Sequence, residues 1–314
     1  MQNIFTSGGH FVHRLNPVFL QVGNIQLRYY GLAYAIGFAG IYFWLRNRQK
    51  DLGWSTEEVY DLSLLISLGA LIMGHLFEII FYEWTYYKES PLEALMFWRG
   101  GMASHGVLLG GALGMWLFCK IRNRSFLMVG DQIAIPVALF MGIGRIGNFI
   151  NGENFGPVTD VWWGVKFPYA DGFRHPVDIY DGLKNFVVFG ILLLIQKRCR
   201  HHDGRLFGHL LFWYGFLRFL VDFFREYGVY FWGFGRGQYF NLAMATMGLF
   251  LIWRSYRSSD IQLLKSPGIS QPPAGVSWPR KLAFLFLLLF CLTIPSGWSQ
   301  GWLQQLKVEA NRHL

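Results

Sequence analysis

The chain has 314 residues, of which 53% are hydrophobic, 18% aromatic and only 15% charged. Soluble domains carry about a quarter charged residues, so the deficit argues against a water-soluble globular protein and points to lipid as the solvent. The formal net charge of +9 does not imply nucleic acid, because the basic residues sit in short clusters between apolar runs, as membrane-topology signals do.

The opening stretch, MQNIFTSGGHFVHRLNP, lacks the apolar core of a cleavable signal peptide. A spanning helix needs about 20 mostly apolar residues. By that measure the predicted spans are 29–45, 62–85, 102–119, 130–150, 177–196, 206–226 and 238–255. In the third span, Gly106, Gly110 and Gly114 recur at helical spacing, which lets helix backbones approach closely in lipid. After the seventh span, SPGISQPPAGVSWP at 266–279 reads as a linker. It leads to a further apolar stretch, LAFLFLLLFCLTIPSGW at 282–298. That stretch is either an eighth helix or, given Pro295 and its short core, an interfacial segment. The predicted fold is an all-α polytopic membrane bundle of seven helices, residues 1–257, followed by a linker and apolar segment, 258–314, with no role legible in them. Cys119, Cys199 and Cys291 are scattered, so neither a disulfide framework nor a zinc site is expected, and no cofactor is called for.

Lys and Arg cluster after the odd-numbered spans: Arg46, Arg48 and Lys50; Lys120, Arg122 and Arg124; Lys197, Arg198, Arg200 and Arg205; then Arg254, Arg257, Lys265, Arg280 and Lys281. The positive-inside bias then places the N-terminus outside and these loops in the cytoplasm. With that orientation the polar residues of the spans fall in the outer half of the membrane. Tyr30 opens the first span, His75 and Glu78 lie late in the second, and Ser104 and His105 begin the third. Arg145, Asn148 and Glu153 end the fourth; His175, Asp178 and Tyr180 open the fifth. Arg218, Asp222 and Arg225 close the sixth, and Arg236, Gln238 and Asn241 open the seventh. A charge at the bilayer centre costs about 2.5–3.5 kcal/mol on insertion scales, which makes such residues functional candidates.

Helical spacing puts Tyr214, Arg218, Asp222 and Arg225 on one stripe, and His75, Glu78 and Tyr82 on one face. Plainer readings stand beside these. Arg218 and Asp222 could form a simple intrahelical ion pair, Arg145 could snorkel, and His75 could be a satisfied core residue. Trp162 and Trp163 read as an interfacial belt.

The stretch GRIGNFINGENFG, residues 144–156, ends an apolar run in an arginine, amides, a carboxylate and glycines. That makes sense if the helix lines a cavity instead of facing lipid. Gly152 suits the left-handed position after a helix end, which would leave Glu153 in a loop folded back over it. Two intramembrane arginines suit phosphate oxygens, so the residues point to a site for a phospholipid head group in the outer leaflet. A transporter or lipid-binding scaffold is the competing class, but no internal repeat is evident.

The same stretch resembles the signature of the prolipoprotein diacylglyceryl transferase family, through Gly144, Arg145, Gly147, Asn148, Phe149, Asn151, Glu153 and Gly156. RYYG with Tyr30, GGMASHG with His105, RHP at 174–176, YGFLRFLVDFFRE with Arg218, and GRGQ follow the family order; the resemblance covers about 18–257. It implies a seven-span enzyme of the bacterial inner membrane. Such an enzyme moves the diacylglyceryl group of phosphatidylglycerol onto the lipobox cysteine thiol in the signal peptide of an exported prolipoprotein, and glycerol-1-phosphate leaves. The resemblance also implies roles: His105 as the base, with Arg145, Arg218 and Tyr30 as the other catalytic residues, and Arg145, Asn148, Asn151, Glu153, Gly156 and Asp222 binding substrate. The chain departs from the family pattern at several positions. His75 and Glu78 stand where arginine and tyrosine are usual, Val177 and Asp178 where a small hydroxyl residue and glutamine are, and Asp222 where glutamate is. These positions bear on the substrate more than on the fold, and a related transferase using another lipid or acceptor is the alternative.

Overall fold

The computed structural model describes residues 9–23, 25–96, 101–168, 170–198, 204–226, 230–257 and 276–294. Cys199, Arg200, Lys265, Pro295 and residues 266–275 of the linker lie outside the described residues, as do the side chains of Arg198 and Arg236.

Six short strands form three two-stranded pairs that trim the bundle. β1 (Phe11–Val12) pairs in parallel with β4 (Val165–Lys166), and β2 (Val18–Val22) pairs antiparallel with β3 (Ile25–Arg28). β5 (Tyr230–Phe231) forms a hairpin with β6 (Phe234–Gly235). The helices are α1 (Tyr29–Leu52), α2 (Thr56–Phe81), the short α3 (Trp84–Tyr87), α4 (Ser104–Arg122) and α5 (Phe126–Asn151). They continue with α6 (Val177–Arg198), α7 (Arg205–Val221), α8 (Arg236–Arg257) and α9 (Trp278–Leu292). Each predicted span is a helix, and the chain is an all-α polytopic membrane protein. By length and composition alone, α2, α4, α5 and the segment Arg205–Phe224 can each cross a membrane.

Helix ends differ from the predicted ones where a helix continues past its apolar run. α1 carries its basic cluster onward to Leu52 and stops at Gly53, which is left-handed at φ 63°. α2 starts at Thr56, six residues before the apolar run, because Ser55 and Glu58 close a reciprocal capping box. The polar first turn reads as loop in the sequence, although it is the device that starts the helix.

The bundle has two chemically distinct ends. At one, ion pairs tie helix ends together: Arg122 to Asp61, Arg124 to Glu58 at 2.7 Å, and Arg280 to Glu57 at 3.1 Å and Asp61 at 2.9 Å. At the other lie the polar residues singled out above. α5 runs through the middle and packs against α1, α4, α6 and α7. The glycine row does what its spacing predicts: a Cβ on Gly110 would stand 2.0 Å from the Gly69 carbonyl oxygen, and one on Gly114 2.0 Å from that of Leu65. α2 and α4 therefore touch backbone to backbone.

Through Ile294 the last apolar stretch is a helix and its end, packed along α1 and α2. α9 starts beside Glu57 and Asp61 and ends against α1, where a Cβ on Gly31 would meet the Cys291 carbonyl oxygen at 2.2 Å. Its Leu287, Cys291 and Ile294 join Ala35, Phe38, Ala70 and Leu71 in one buried cluster. Fifteen residues rise about 22 Å, and the helix starts earlier than its apolar run because Trp278 and Pro279 form its first turn.

Candidate functional site

A cavity of about 490 Å³ opens inside the polar end of the bundle, walled by α1, α2, α4, α5 and α7. Its size is that of a small-molecule site. The residues singled out in the sequence that line it include Tyr30, Ser104, His105, Arg145, Asn148, Glu153, Arg218 and Arg225.

α5 delivers the signature to the wall. The helix ends at Gly152, left-handed at φ 70°, and the chain folds back so that Glu153 accepts from both amides of the last turn. Asn148 Nδ2 donates to Glu153 Oε1 at 2.9 Å and Asn151 Nδ2 to the same oxygen at 3.2 Å. Arg145 in turn donates through Nη1 to Asn148 Oδ1 at 3.2 Å, and through Nη2 to Ser104 Oγ at 2.7 Å. The polar residues after the apolar run are thus one network, with the carboxylate setting the amides and an amide setting the arginine.

A second layer holds the arginines from behind. Asp181, on α6, is fully buried, and its Oδ2 pairs with Arg145 Nε at 2.5 Å and with Arg218 Nη1. Its Oδ1 pairs with Lys184 Nζ at 2.9 Å. Arg218 Nε reaches Asp222 Oδ1 at 3.1 Å, and Asp178 stands 3.8 Å from Arg145. Lys184 Nζ lies 3.6 Å from the centroid of the Tyr214 ring, a cation–π contact. Arg145, Arg218 and Lys184 thus face Asp178, Asp181 and Asp222, as buried charges require.

Next to Ser104, His105 sits between Phe77 and Phe240, with Nε2 3.4 Å from Asn241 Oδ1. Asn241 Nδ2 donates to Asp222 Oδ2 at 2.7 Å, which turns the amide oxygen toward the imidazole. Nε2 then carries the proton, and Nδ1 keeps its lone pair. Tyr30 points its hydroxyl at that of Tyr34, 3.2 Å away.

Three residues read from the sequence as substrate contacts stand behind the wall. Asn151 is spent on Glu153, and Asp222 on Arg218 and Asn241. Gly156 lets the loop close on the start of α6: a Cβ there would come within 2.3 Å of the Phe224 carbonyl oxygen. His75 also leaves the site, because its Nδ1 and Nε2 face the backbone carbonyls of Gly101 at 3.0 Å and Ala94 at 3.2 Å. Its helical neighbour Glu78 does line the cavity.

Sequence reasoning missed Asp181, Lys184 and His13. The signal for the first two was present, since both are ionisable residues inside a span. His13 gave none, because it acts across the fold. Its Nε2 lies 2.7 Å from the Phe149 carbonyl oxygen in the last turn of α5, and its ring lies where a Cβ on Gly152 would meet it at 3.0 Å. Burial lowers its imidazole from the ordinary 6.5, so the neutral form is favoured in the folded chain. Its contribution to stability is therefore complete above about 6.5 and is lost as pH falls from there toward the folded value. The unfolding midpoint in detergent should fall more steeply for wild type than for His13→Gln across that window. Parallel curves would remove His13 from the pH response.

The sequence model described as prolipoprotein diacylglyceryl transferase matches residues 17–254. The chain belongs to this family. Relatives include a protein of Idiomarina loihiensis, 38% identical over 251 residues covering 77% of this chain and 93% of the relative. One of Nitrosomonas europaea is 39% identical over 257 residues, 78% and 91% of the two chains. One of Geobacter sulfurreducens is 37% identical over 243 residues, 75% and 93%. All three are named phosphatidylglycerol–prolipoprotein diacylglyceryl transferase. The family match ends at residue 254, before α9.

Proposed function

We propose that the chain transfers the diacylglyceryl group of phosphatidylglycerol to the lipobox cysteine thiol of exported prolipoproteins and releases glycerol-1-phosphate. The observation that carries this reading is the pair Arg145 and Arg218, set side by side on Asp181 in the wall of a largely apolar cavity, with His105 in the same wall and joined to Arg218 through Asn241 and Asp222. Membership of the family supports it.

A free cysteine thiol, with pKa about 8.5, is mostly protonated near neutral pH. His105 Nδ1 takes the thiol proton, and the sulfur forms its bond to the glyceryl carbon as the carbon–oxygen bond to phosphate breaks. The electron pair leaves with glycerol-1-phosphate, on which charge develops, and the guanidinium groups of Arg145 and Arg218 stabilise it most at that moment. Asn148 and Glu153 hold Arg145 in register, Tyr30 contacts the lipid, and Asn151, Gly156 and Asp222 shape the site from behind. Glu78, a carboxylate in the cavity wall where the family usually has tyrosine, favours a second reading: a related transferase with a different lipid or acceptor.

Purified protein incubated with phosphatidylglycerol and a lipobox peptide should yield a diacylglyceryl thioether by mass spectrometry. Arg145→Lys, which keeps the charge but loses the planar fork, should stay about tenfold or more below wild type, in the range of a lost transition-state contact. Absence of the thioether, or full activity in Arg145→Lys, would sink the reading.

The placement proposed with it is the bacterial inner membrane, with the N-terminus and the cavity on the outer side. The basic clusters at the other end of the bundle support it. A reporter fused after Arg48 should read cytoplasmic, and one placed within 157–173 should read external; the reverse at either site inverts the orientation.

A further inference from the structure

Below the arginines the cavity changes character. Past Tyr214 its lining is apolar, including Val137, Phe140, Met141 and Leu210, and it continues to Met115, Ile133 and Phe207. Those last three pack against the cluster of Leu45, Leu62, Phe118 and Val129, which is closed to solvent. The lower cavity is therefore a slot that ends blind on the most tightly buried part of the bundle.

Its depth can be read along the helices. Arg145 and Ile133 are twelve residues apart on α5, about 18 Å at the helical rise. His105 and Met115 are ten residues apart on α4, about 15 Å. Half of a bilayer's hydrocarbon core is also about 15 Å, which is the length available to one acyl chain of one leaflet. The slot thus starts at the level of the proposed head-group contacts and stops one acyl length away.

Two glycines keep its walls smooth. A Cβ on Gly144 would meet nothing within 4 Å, and one on Gly111 only the Ile66 methyl at 3.8 Å. This contrasts with Gly110 next door, whose absent side chain is required by helix packing. Gly111 lies six residues below His105 on α4, about 9 Å down the slot.

We propose that this slot takes one acyl chain of the donor glycerophospholipid end-on, and that its floor of Met115, Ile133 and Phe207 measures the length of that chain. The second chain stays outside the slot. The proposal rests on the transferase reading above and adds a selection by acyl length that the head-group contacts cannot make.

The test measures both lipid retention, by native mass spectrometry, and thioether formation. It uses phosphatidylglycerols with dilauroyl, dimyristoyl, dipalmitoyl and distearoyl chains on the full-length protein. For wild type, lipid retention should rise with chain length and then stop rising once the floor is reached. Gly111→Leu puts a side chain into the slot from a position where a Cβ meets only the Ile66 methyl. It should keep short-chain binding and lose at least tenfold for the long chains, moving the plateau to shorter lipids. Gly111→Ala should keep the wild-type order. Phe207→Ala, which deepens the floor, should move the plateau the other way, and it decides the matter if Gly111→Leu does not fold. Equal weakening of all chain lengths, or an unchanged order in both variants, overturns the slot. A length plateau in binding with no thioether from any lipid would leave the slot standing and remove the transferase reading; thioether formation indifferent to length would do the reverse.

Discussion

Asp181→Asn should cost about 3–5 kcal/mol of stability, the usual consequence of removing one partner from a buried ion cluster, and most of the activity with it. Asp181 is the only carboxylate that touches Arg145, Arg218 and Lys184 together among the described residues. An amide has nearly the same shape but no charge, so three cations would be left facing two carboxylates in a low-dielectric interior. Each arginine would lose the contact that fixes its fork, and the two would no longer be held side by side. Asp181→Glu keeps the charge and should recover part of both losses. The double variant Asp181→Asn, Lys184→Met removes one cation together with the carboxylate, so it should be more stable than Asp181→Asn alone, by a coupling of the size seen for residues in contact. Unfolding in detergent measures all three. A midpoint for Asp181→Asn equal to that of wild type would mean that Asp178 and Asp222 suffice to hold the cations.

His105→Gln should lower thioether formation about 10²–10⁴-fold, the range for loss of a general base, while leaving the unfolding midpoint where it is. The side chain makes one long polar contact, to Asn241 at 3.4 Å, and its aromatic neighbours tolerate a planar amide. Asn241→Ala should reduce turnover less, because it removes the group that sets the tautomer but not the base. It should also shift the pH–rate profile, which a purely structural role would leave in place. Near-normal turnover in a folded His105→Gln protein would move the base to Glu153 or Glu78, two of the carboxylates that line the same cavity.

The helices were legible in the sequence because a bilayer leaves only one way to satisfy the backbone of an apolar run. Their ends were less so. Thr56–Asp61 and Arg46–Leu52 are polar helix, stabilised by a capping box and a left-handed glycine that composition does not reveal. In the site, residues 144–156 announced themselves, since a charge and a carboxylate beside an apolar run demand a reason. Asp181 and Lys184 carried the same signal but sit one and two turns past the polar opening of α6 at Asp178. Spacing also misled at His75. It shares a helical face with Glu78, yet its ring turns to two carbonyls from a loop that periodicity cannot place. Contacts such as His13 with Phe149, 136 positions apart, are properties of the folded topology alone.

Helix α9 gives the bundle a doubled wall. Tyr34, Phe38, Ala70, Met102 and Val107 show the cavity on one side and belong on the other to the cluster that α9 completes. The membrane beside this seam meets Phe286 and Leu289 of α9, not the cavity wall itself. A separate subunit in that position would leave as the protein is diluted from membrane into detergent. A helix on the same chain docks in a unimolecular step, so its occupancy does not depend on protein concentration. The lining of the cavity is therefore buttressed equally in a crowded membrane and in a dilute micelle.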